Sequence, residues 1–239
     1  DVAAIAKEAW QLTLASRLSI NLGLFICLVI AMATSMLAST PLGGIEVAFK
    51  EPQSMTLVNI IVILVVYPFV AGVEMMGVFH SVGLKTQTKL VFAFLKRGSW
   101  IAVCALLTST LVQIGVVLFF IPGIFLAVAL SLTIPLVIEK KMTPMKAIIV
   151  SIQATRFQWF KIFSLYMLVV LFMVIATLPI AMAGNSEFGF ITAGFFLFCL
   201  TYIVPLFYNI KGVLYREIFG LQMAALDEQH EQNNDIFSA

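Results

Sequence analysis

Residues 101–138 read IAVCALLTSTLVQIGVVLFFIPGIFLAVALSLTIPLVI and contain no charged side chain. A single helix of these 38 residues would be about 57 Å long, whereas the hydrocarbon core of a bilayer is about 30 Å thick. Pro122 and Gly123 stand near the middle of the run, and such a pair is typical of a tight turn. The stretch therefore predicts a helical hairpin of two membrane spans that turns at residues 120–123.

The composition of the whole chain also indicates a membrane protein. Hydrophobic residues make up 62% of the 239 residues and charged residues 11%, whereas soluble domains have about 45–50% and about 25%. A soluble protein of this size cannot hide so much apolar surface, so we predict an all-α integral membrane protein. Disordered chains, secreted disulfide scaffolds and nucleic-acid-binding domains are excluded on the same grounds. The cysteines all lie in apolar runs, which favours packing roles over disulfides: Cys27, Cys104 and Cys199.

Outside the hairpin, four further apolar runs are long enough for membrane helices. The six spans are predicted at about residues 18–38, 55–79, 101–120, 124–138, 162–182 and 188–210. Residues 1–226 form a single membrane domain in this interpretation, and residues 227–239 form an acidic, disordered tail. No small-residue cleavage site follows the first run, so we expect it to remain as an uncleaved span.

Basic residues are distributed unevenly among the loops. With six spans, both termini lie on one side, and 13 of the 14 lysines and arginines fall on that side. Lys50 alone falls on the other side. Because cytoplasmic loops carry the excess of Lys and Arg, we expect both termini to be cytoplasmic in a bacterial inner membrane.

The connecting stretches on the basic side mix apolar and basic residues, as amphipathic interfacial helices do. Residues 85–100 and 142–160 are the longest, and residues 1–17 and 211–226 have the same character. Thr143 followed by Pro144 predicts the beginning of a helix. We expect the cations of these links to form a collar for anionic lipid headgroups: Lys85, Lys89, Lys96, Arg97, Lys140, Lys141, Lys146, Arg156 and Lys161. The alternative is that these helices only pack on the ends of the spans.

Glu74 is the one charged side chain inside a predicted span, and an ionisable residue within a membrane is a functional candidate. Polar residues at a similar depth predict a small cavity open to the cytoplasm, lined by Glu74, Asn21, Thr108, Ser109 and Thr133. Alternatively, Glu74 is protonated, or it reaches toward water and pairs with a lysine such as Lys85. Gly72, Gly77 and Gly115 are expected to allow close helix packing.

No catalytic or metal-binding motif is recognisable in the sequence. The spacings of zinc proteases, nucleophile elbows, phosphate-binding loops and paired-cysteine metal sites are missing. One carboxylate without a second reactive group gives little basis for catalysis within a membrane. We therefore expect a protein that is not an enzyme and that has no cofactor and no metal.

Several short motifs between residues 111 and 163 carry a family resemblance. They are Ile121–Gly123, Pro135–Glu139, Pro144–Ala147, Ser151 and Arg156–Lys161. In these motifs the chain resembles the YciC-type bacterial inner-membrane family, which is related to the membrane domain fused to some glycerophosphoryl diester phosphodiesterases. The resemblance implies a six-helix inner-membrane protein of poorly known function, linked to envelope or lipid homeostasis. The phosphodiesterase activity belongs to a separate soluble domain, so the resemblance supplies no catalytic residues.

Three functions remain open at this point. The first is a non-enzymatic role in envelope or membrane-lipid homeostasis, through lipid or a membrane partner bound at the basic collar. The second is a small transporter or channel, which a cavity lined by Asn21, Glu74 and Thr108 would favour. The third is a scaffold subunit of a membrane complex, or a homo-oligomer. Membrane lipids with anionic headgroups are the expected partners, and nucleic acid is not.

Overall fold

The computed structural model describes residues 1–183 and 189–221, and within these ranges the prediction of an all-α protein is confirmed. The described α-helices are α1 (Val2–Ser39), α2 (Ile45–Lys50), α3 (Pro52–His80), α4 (Gly98–Leu118), α5 (Phe120–Ala129), α6 (Thr133–Glu139), α7 (Pro144–Thr155), α8 (Trp159–Ala183) and α9 (Gly189–Phe219). Short 3₁₀ helices cover Thr40–Leu42, Thr88–Phe92 and Leu95–Arg97. The predicted loop at 184–187, the predicted first residue of the last span and the predicted tail at 227–239 lie outside the described residues.

Six helical stretches of the described chain are long and apolar enough to cross a membrane, as the sequence predicts. They cover Val2–Leu42, Pro52–His80, Thr88–Leu118, Phe120–Glu139, Trp159–Met182 and Gly189–Phe219. Length and composition therefore agree with a multi-pass membrane protein.

The first and last helices extend beyond the predicted spans, because the amphipathic stretches beside them are continuous with them. α1 begins at Val2, and no proline interrupts the chain before Pro41. α9 continues through Lys211 to Phe219. Residues 1–17 and 211–219 are therefore parts of long helices and not separate interfacial helices, which corrects the sequence interpretation.

The apolar hairpin is present as α4 and α5, but its turn and its second arm differ from the prediction. Phe119 is extended between the two helices, so the chain turns one residue before the predicted turn. Gly115 and Gly123 allow the arms to pack closely, since a Cβ on Gly115 would lie 3.0 Å from the Cα of Gly123. The second arm breaks between α5 and α6, because Pro135 has no N–H to donate to the carbonyl of Ser131.

Four long helices meet at one end of the bundle, where α1 and α8 begin and α3 and α9 end. Arg216 of α9 lies 2.7 Å from Glu8 of α1, and it also donates to the carbonyl of Ser81, which follows α3. Lys161, near the beginning of α8, lies 2.5 Å from Glu217 of α9. We call this end the N-end.

The link between α3 and α4 folds back along α3, where an amphipathic helix was predicted. Thr86 lies close to the end of α3, with its Oγ1 2.7 Å from His80 Nε2. Further along the link, the carbonyl of Leu90 is so close to Gly72 that a Cβ on Gly72 would lie 2.5 Å from it. The link ends where Gly98 faces Pro68, twelve residues or about 18 Å before the end of α3.

α4 therefore starts beside the middle of α3 and runs in the same direction. Gly98 faces Pro68, whereas Thr108 and Ser109 line a cavity together with Glu74, which is nearer to the N-end than Pro68. The cavity extends along α3 from Tyr67, beside Pro68, to Glu74, so α4 passes from the level of Pro68 along this cavity toward the N-end. Alternating spans would make α3 and α4 antiparallel, so this pair differs from the sequence interpretation.

The turn of the hairpin consequently lies at the N-end. Trp159, the first residue of α8, donates from Nε1 to the carbonyl of Phe125 in α5 at 3.3 Å. The two rings also stack, with centroids 5.8 Å apart. Alternating spans would place the beginning of α5 and the beginning of α8 at opposite ends of the bundle.

α7 begins as predicted, with Thr143 just before the helix and Pro144 as its first residue. Thr143 makes no side-chain capping bond. Ser151 donates from its hydroxyl to the carbonyl of Ala129 at 2.6 Å. Ala129 is the last residue of α5, and carbonyls at a helix end lack a partner in their own helix. Ser151 therefore caps the C-terminal end of α5 and holds α7 against it.

Candidate functional site

Glu74 of α3 forms an ion pair with Lys211 of α9, and both side chains are buried. Lys211 Nζ lies 2.7 Å from Glu74 Oε1, and the two residues are 6% and 7% exposed. The pair corrects two predictions from the sequence. Lys211 lies in the buried part of α9 and not in a separate cytoplasmic stretch after the last span, and it takes the place of Lys85 as the partner of Glu74.

A close approach of α3 and α9 makes this pair possible. Gly77 lies one helical turn after Glu74, and Gly212 follows Lys211 directly. A Cβ on Gly212 would lie 2.0 Å from the carbonyl oxygen of Gly77, so only glycine fits. Side chains on a helix lean toward its N-terminus, and this direction carries the Lys211 ammonium away from the N-end toward Glu74.

The second carboxylate oxygen of Glu74 has no such partner. Glu74 Oε2 is buried and accepts no hydrogen bond from the described residues. A buried oxygen without a donor is destabilising by about 1–3 kcal/mol, and by more if it carries charge. The site therefore has an unused capacity to accept a hydrogen bond.

The ion pair faces a cavity of about 350 Å³ between α3, α9 and the α4–α5 hairpin. Its lining combines polar and apolar side chains: Tyr67, Glu74, Thr108, Ser109, Val112, Gln113, Ala127, Leu130, Ser131, Ile134 and Lys211. Gln113 and Ala127 are exposed, whereas Glu74 and Lys211 are buried. The cavity is thus reached past the arms of the hairpin, with its charged groups at the inner wall. Pockets of about 300–1,000 Å³ are typical of small-molecule sites.

The predicted cavity residues divide into two groups. Thr108 and Ser109 do line the cavity with Glu74. Asn21 does not, because its amide donates to the carbonyl of Thr201 at 2.9 Å. Thr133 is buried, and its hydroxyl donates to the carbonyl of Leu130.

Four polar lining residues were not among the five predicted for the cavity: Tyr67, Gln113, Ser131 and Lys211. Gln113 and Ser131 were visible as polar residues within apolar runs. Their place beside Glu74 depends on the direction of α4, which the alternating topology assigns wrongly.

Three serine and threonine hydroxyls of the lining donate their protons to nearby backbone carbonyls. Thr108 Oγ1 lies 2.9 Å from the carbonyl of Cys104, and Ser109 Oγ lies 3.0 Å from that of Leu106. Ser131 Oγ donates to the carbonyl of Val128 at 2.8 Å. These three oxygens therefore present lone pairs, and not O–H groups, to other partners.

A separate buried network lies between the cavity and the N-end. His80 Nδ1 lies 3.1 Å from Asn209 Oδ1, and Asn209 donates from Nδ2 to Thr13 Oγ1 at 3.0 Å. Through these bonds the network joins α1, α3 and α9. His80 and Asn209 do not line the cavity, so we assign them to the packing of the bundle.

The predicted basic collar is distributed over the bundle and is not one ring. Lys140 and Lys161 pair with Glu139 and Glu217. Lys96 and Arg97 directly precede Gly98, so they lie about 18 Å from the end of α3. The exposed members of the set are Lys85, Lys89, Lys96, Lys141, Lys146 and Arg156.

Within the described ranges, no three His, Cys, Asp or Glu side chains are grouped as they would be to hold a metal ion. No family model matches the chain, and no curated protein or solved structure matches it. The resemblance of residues 111–163 to the YciC-type family therefore stays a prediction.

Proposed function

We propose that this chain is a non-enzymatic bacterial inner-membrane protein that binds the polar head of an amphiphile in the cavity beside Glu74 and Lys211. Its role in this proposal is in envelope or membrane-lipid homeostasis, as the family resemblance implies. One observation carries the proposal: a buried ion pair with an unpartnered carboxylate oxygen faces a cavity of about 350 Å³.

The depth of the pair supports a headgroup as the ligand. Glu74 follows Pro52, the first residue of α3, by 22 residues, which is about 33 Å along a helix. If α3 enters the hydrocarbon core near Pro52, a core about 30 Å thick places Glu74 at the level of the opposite headgroups. The lining is also mixed, with apolar Val112, Leu130 and Ile134 beside the polar groups, as an amphiphile requires.

The distribution of charge supports a cytoplasmic N-end. Lys7, Arg156, Lys161 and Arg216 lie on helices or links that meet there, whereas Lys50 lies at the opposite end of α3. By the positive-inside rule, the N-end and both termini face the cytoplasm. Exposed cations near the N-end, such as Lys85 and Arg156, then lie near the cytoplasmic leaflet, where each attracts anionic lipid by about 1 kcal/mol.

Photocrosslinking at the entrance of the cavity tests the proposal. A benzophenone amino acid at Gln113 is irradiated in native membranes, and adducts are identified by mass spectrometry. Val117 is the matched control, since it lies one turn further along α4 and is 85% exposed. We expect an amphiphile adduct at position 113 that decreases with Glu74→Gln, and adducts at position 117 that do not change. Identical adducts at both positions, unaffected by Glu74→Gln, would contradict binding in the cavity.

Transport is a second candidate, because the cavity contains Glu74 and Thr108, two of the three residues expected for a path. Transport of lipid is tested in proteoliposomes that carry a fluorescent phospholipid in both leaflets. A reductant that does not cross the membrane quenches only the fluorophores of the outer leaflet, and the remaining fluorescence is measured. Binding alone leaves about half of the fluorescence protected. Loss of this protection, dependent on Glu74, would support movement of lipid across the membrane.

A further inference from the structure

The cavity wall carries donors on Tyr67, Gln113 and Lys211, and beside them a set of groups that can only accept a hydrogen bond from a ligand. Thr108 and Ser109 donate their protons to backbone carbonyls of α4, and Ser131, between α5 and α6, donates to the carbonyl of Val128. Ser131 additionally accepts a bond from Tyr166 at 2.9 Å. Glu74 Oε2 adds a buried carboxylate oxygen that accepts no bond from the part of the chain that the structure describes. A ligand that enters beside these groups is stabilised by N–H or O–H donors of its own.

A cationic donor fits this wall better than a neutral one. Hydrogen bonds between charged partners are roughly twice as strong as neutral bonds. Glu74 is 6% exposed, and at such a site the interaction of opposite charges is screened less than in water. A primary ammonium has three N–H groups, so one can donate to Glu74 Oε2 while the others remain for hydroxyl oxygens of the same cavity, such as those of Thr108 and Ser109.

Lys211 supplies hydrogen-bond donors that complement the acceptors of Glu74, Thr108 and Ser109. Its ammonium has three N–H donors, and the ion pair with Glu74 Oε1 uses one of them. The remaining donors suit an anionic oxygen on the ligand. An ammonium and an anionic oxygen group on one ligand would therefore bind Glu74 and Lys211 together, and the charge of the buried site would stay balanced.

From this arrangement we propose that the cavity selects a head that carries a primary ammonium beside an anionic oxygen group, with the ammonium at Glu74 Oε2 and the anion at Lys211. The inference rests on the proposed function and specifies its ligand class. A quaternary ammonium has no N–H and cannot donate to Oε2. An anionic head without an ammonium leaves Oε2 unpartnered and brings a second negative charge close to Glu74.

Lipid retention in nanodiscs tests this selectivity. The protein is reconstituted in phosphatidylglycerol with equal minor fractions of phosphatidylethanolamine and phosphatidylcholine, which differ in the N–H groups of the head. Native mass spectrometry then measures which lipid stays bound. We expect phosphatidylethanolamine to be preferred at least about tenfold, as the loss of a charged hydrogen bond implies. Equal retention of the two lipids by the unsubstituted protein would overturn the inference.

Substitutions test whether the preference for phosphatidylethanolamine arises in the cavity. Glu74→Gln is expected to abolish it, and Glu217→Gln, which removes an acid from a pair at the N-end, is expected to leave it unchanged. Because Glu74→Gln leaves Lys211 buried without its partner, Ser109→Ala provides a milder test that removes one acceptor and no charge. It should reduce the preference several-fold. A preference that persists in both Glu74→Gln and Ser109→Ala would place the selectivity elsewhere and overturn the inference.

Soluble phosphoethanolamine, added in excess, distinguishes a lipid head from a free zwitterion. Displacement of the lipid would show that the head is sufficient, and persistence of the lipid would show that its chains contribute. Each result is consistent with ammonium selectivity. The photocrosslinking at Gln113 separates the two proposals: an adduct that depends on Glu74, together with equal retention of both lipids, would leave the proposed function standing and remove only the ammonium assignment.

Discussion

Gly212 of α9 touches the backbone of Gly77 in α3, so that a Cβ on Gly212 would lie 2.0 Å from the carbonyl oxygen of Gly77. The contact is reciprocal, because a Cβ on Gly77 would lie 2.2 Å from the carbonyl oxygen of Tyr208. Backbone atoms cannot move aside as a flexible side chain can. This pair therefore sets the distance between α3 and α9, and with it the geometry of the Glu74–Lys211 ion pair.

We predict that Gly212→Ala destabilises the protein by about 1–3 kcal/mol, because the added methyl group overpacks the contact between α3 and α9. Gly194→Ala is the matched control on the same helix, since a Cβ there meets nothing within 4 Å. The control should be neutral or stabilising by up to about 1 kcal/mol, from helix propensity alone. The measurement is the midpoint of chemical unfolding in detergent micelles, and equal midpoints for the two variants would contradict the close approach.

The buried ion pair predicts strong coupling between its two members. Lys211→Met should destabilise the protein by about 3–5 kcal/mol, because it leaves the Glu74 carboxylate buried and unpaired. Adding Glu74→Gln to Lys211→Met should recover most of this loss, since no buried charge then remains. A double-mutant cycle measured by chemical unfolding gives the coupling directly.

The ion pair of Lys161 and Glu217 is the control cycle for this prediction. Its side chains are 25% and 34% exposed, and such pairs contribute about 0–1 kcal/mol. The cycle of Lys161→Met and Glu217→Gln should therefore show little coupling. If both cycles give equally small values, the Glu74–Lys211 pair is solvated and not buried.

Asn209 and Asn21 should differ in their effect on stability. Asn209 is buried, and Asn209→Leu leaves the polar atoms of His80 and Thr13 without this partner, so we expect a loss of about 1–3 kcal/mol. The bond from Asn21 to the carbonyl of Thr201 is exposed, and Asn21→Leu should change stability by less than about 1 kcal/mol, because a hydrogen bond between membrane helices contributes about 0.6 kcal/mol on average. Thermal unfolding of the two variants side by side makes the comparison, and a larger effect of Asn21→Leu would contradict the network.

The sequence was sufficient to predict the long apolar helices and to single out Glu74. Both predictions depend only on residues that are close together in the sequence. A membrane helix needs a contiguous apolar run, and Glu74 stands out as a charged residue inside one. Lys211 was missed because it follows directly after such a run, where a cation ordinarily belongs to a loop. Its burial depends on the contact of Gly77 with Gly212, and residues so far apart in the chain leave no local signal of their contact.

The link between α3 and α4 folds back along α3, and the sequence did not predict this for a similar reason: it depends on contacts between residues that are distant in the chain. Val91 packs where two helices carry glycine: a Cβ on Gly72 would lie 2.5 Å from the Cα of Val91, and a Cβ on Gly23 would lie 3.1 Å from its Cγ2. The link occupies a groove that these glycines create between α1 and α3. Its own composition, apolar residues among lysines, also fits an interfacial helix, so local pattern does not separate the two structures.

The position of the hairpin turn gives a test of topology that needs no knowledge of the ligand. Phe125 contacts Trp159 at the beginning of α8. We therefore predict that the α4–α5 turn and the beginning of α1 lie on the same side of the membrane. Single cysteines are introduced by Ile121→Cys, Lys7→Cys and Lys50→Cys after the native cysteines have been replaced by alanine. Labelling with an impermeant maleimide is compared in spheroplasts and in inverted vesicles.

Position 121 should react in the same preparation as position 7, whereas position 50 should react in the other. Ile121 is 80% exposed, so the hairpin itself does not block the reagent. The comparison is between positions in one protein, and it holds whichever side proves to be cytoplasmic. Labelling of position 121 together with position 50 would mean that α4 and α5 cross the membrane as alternating spans, and the cavity beside Glu74 would then lose the wall that the hairpin provides.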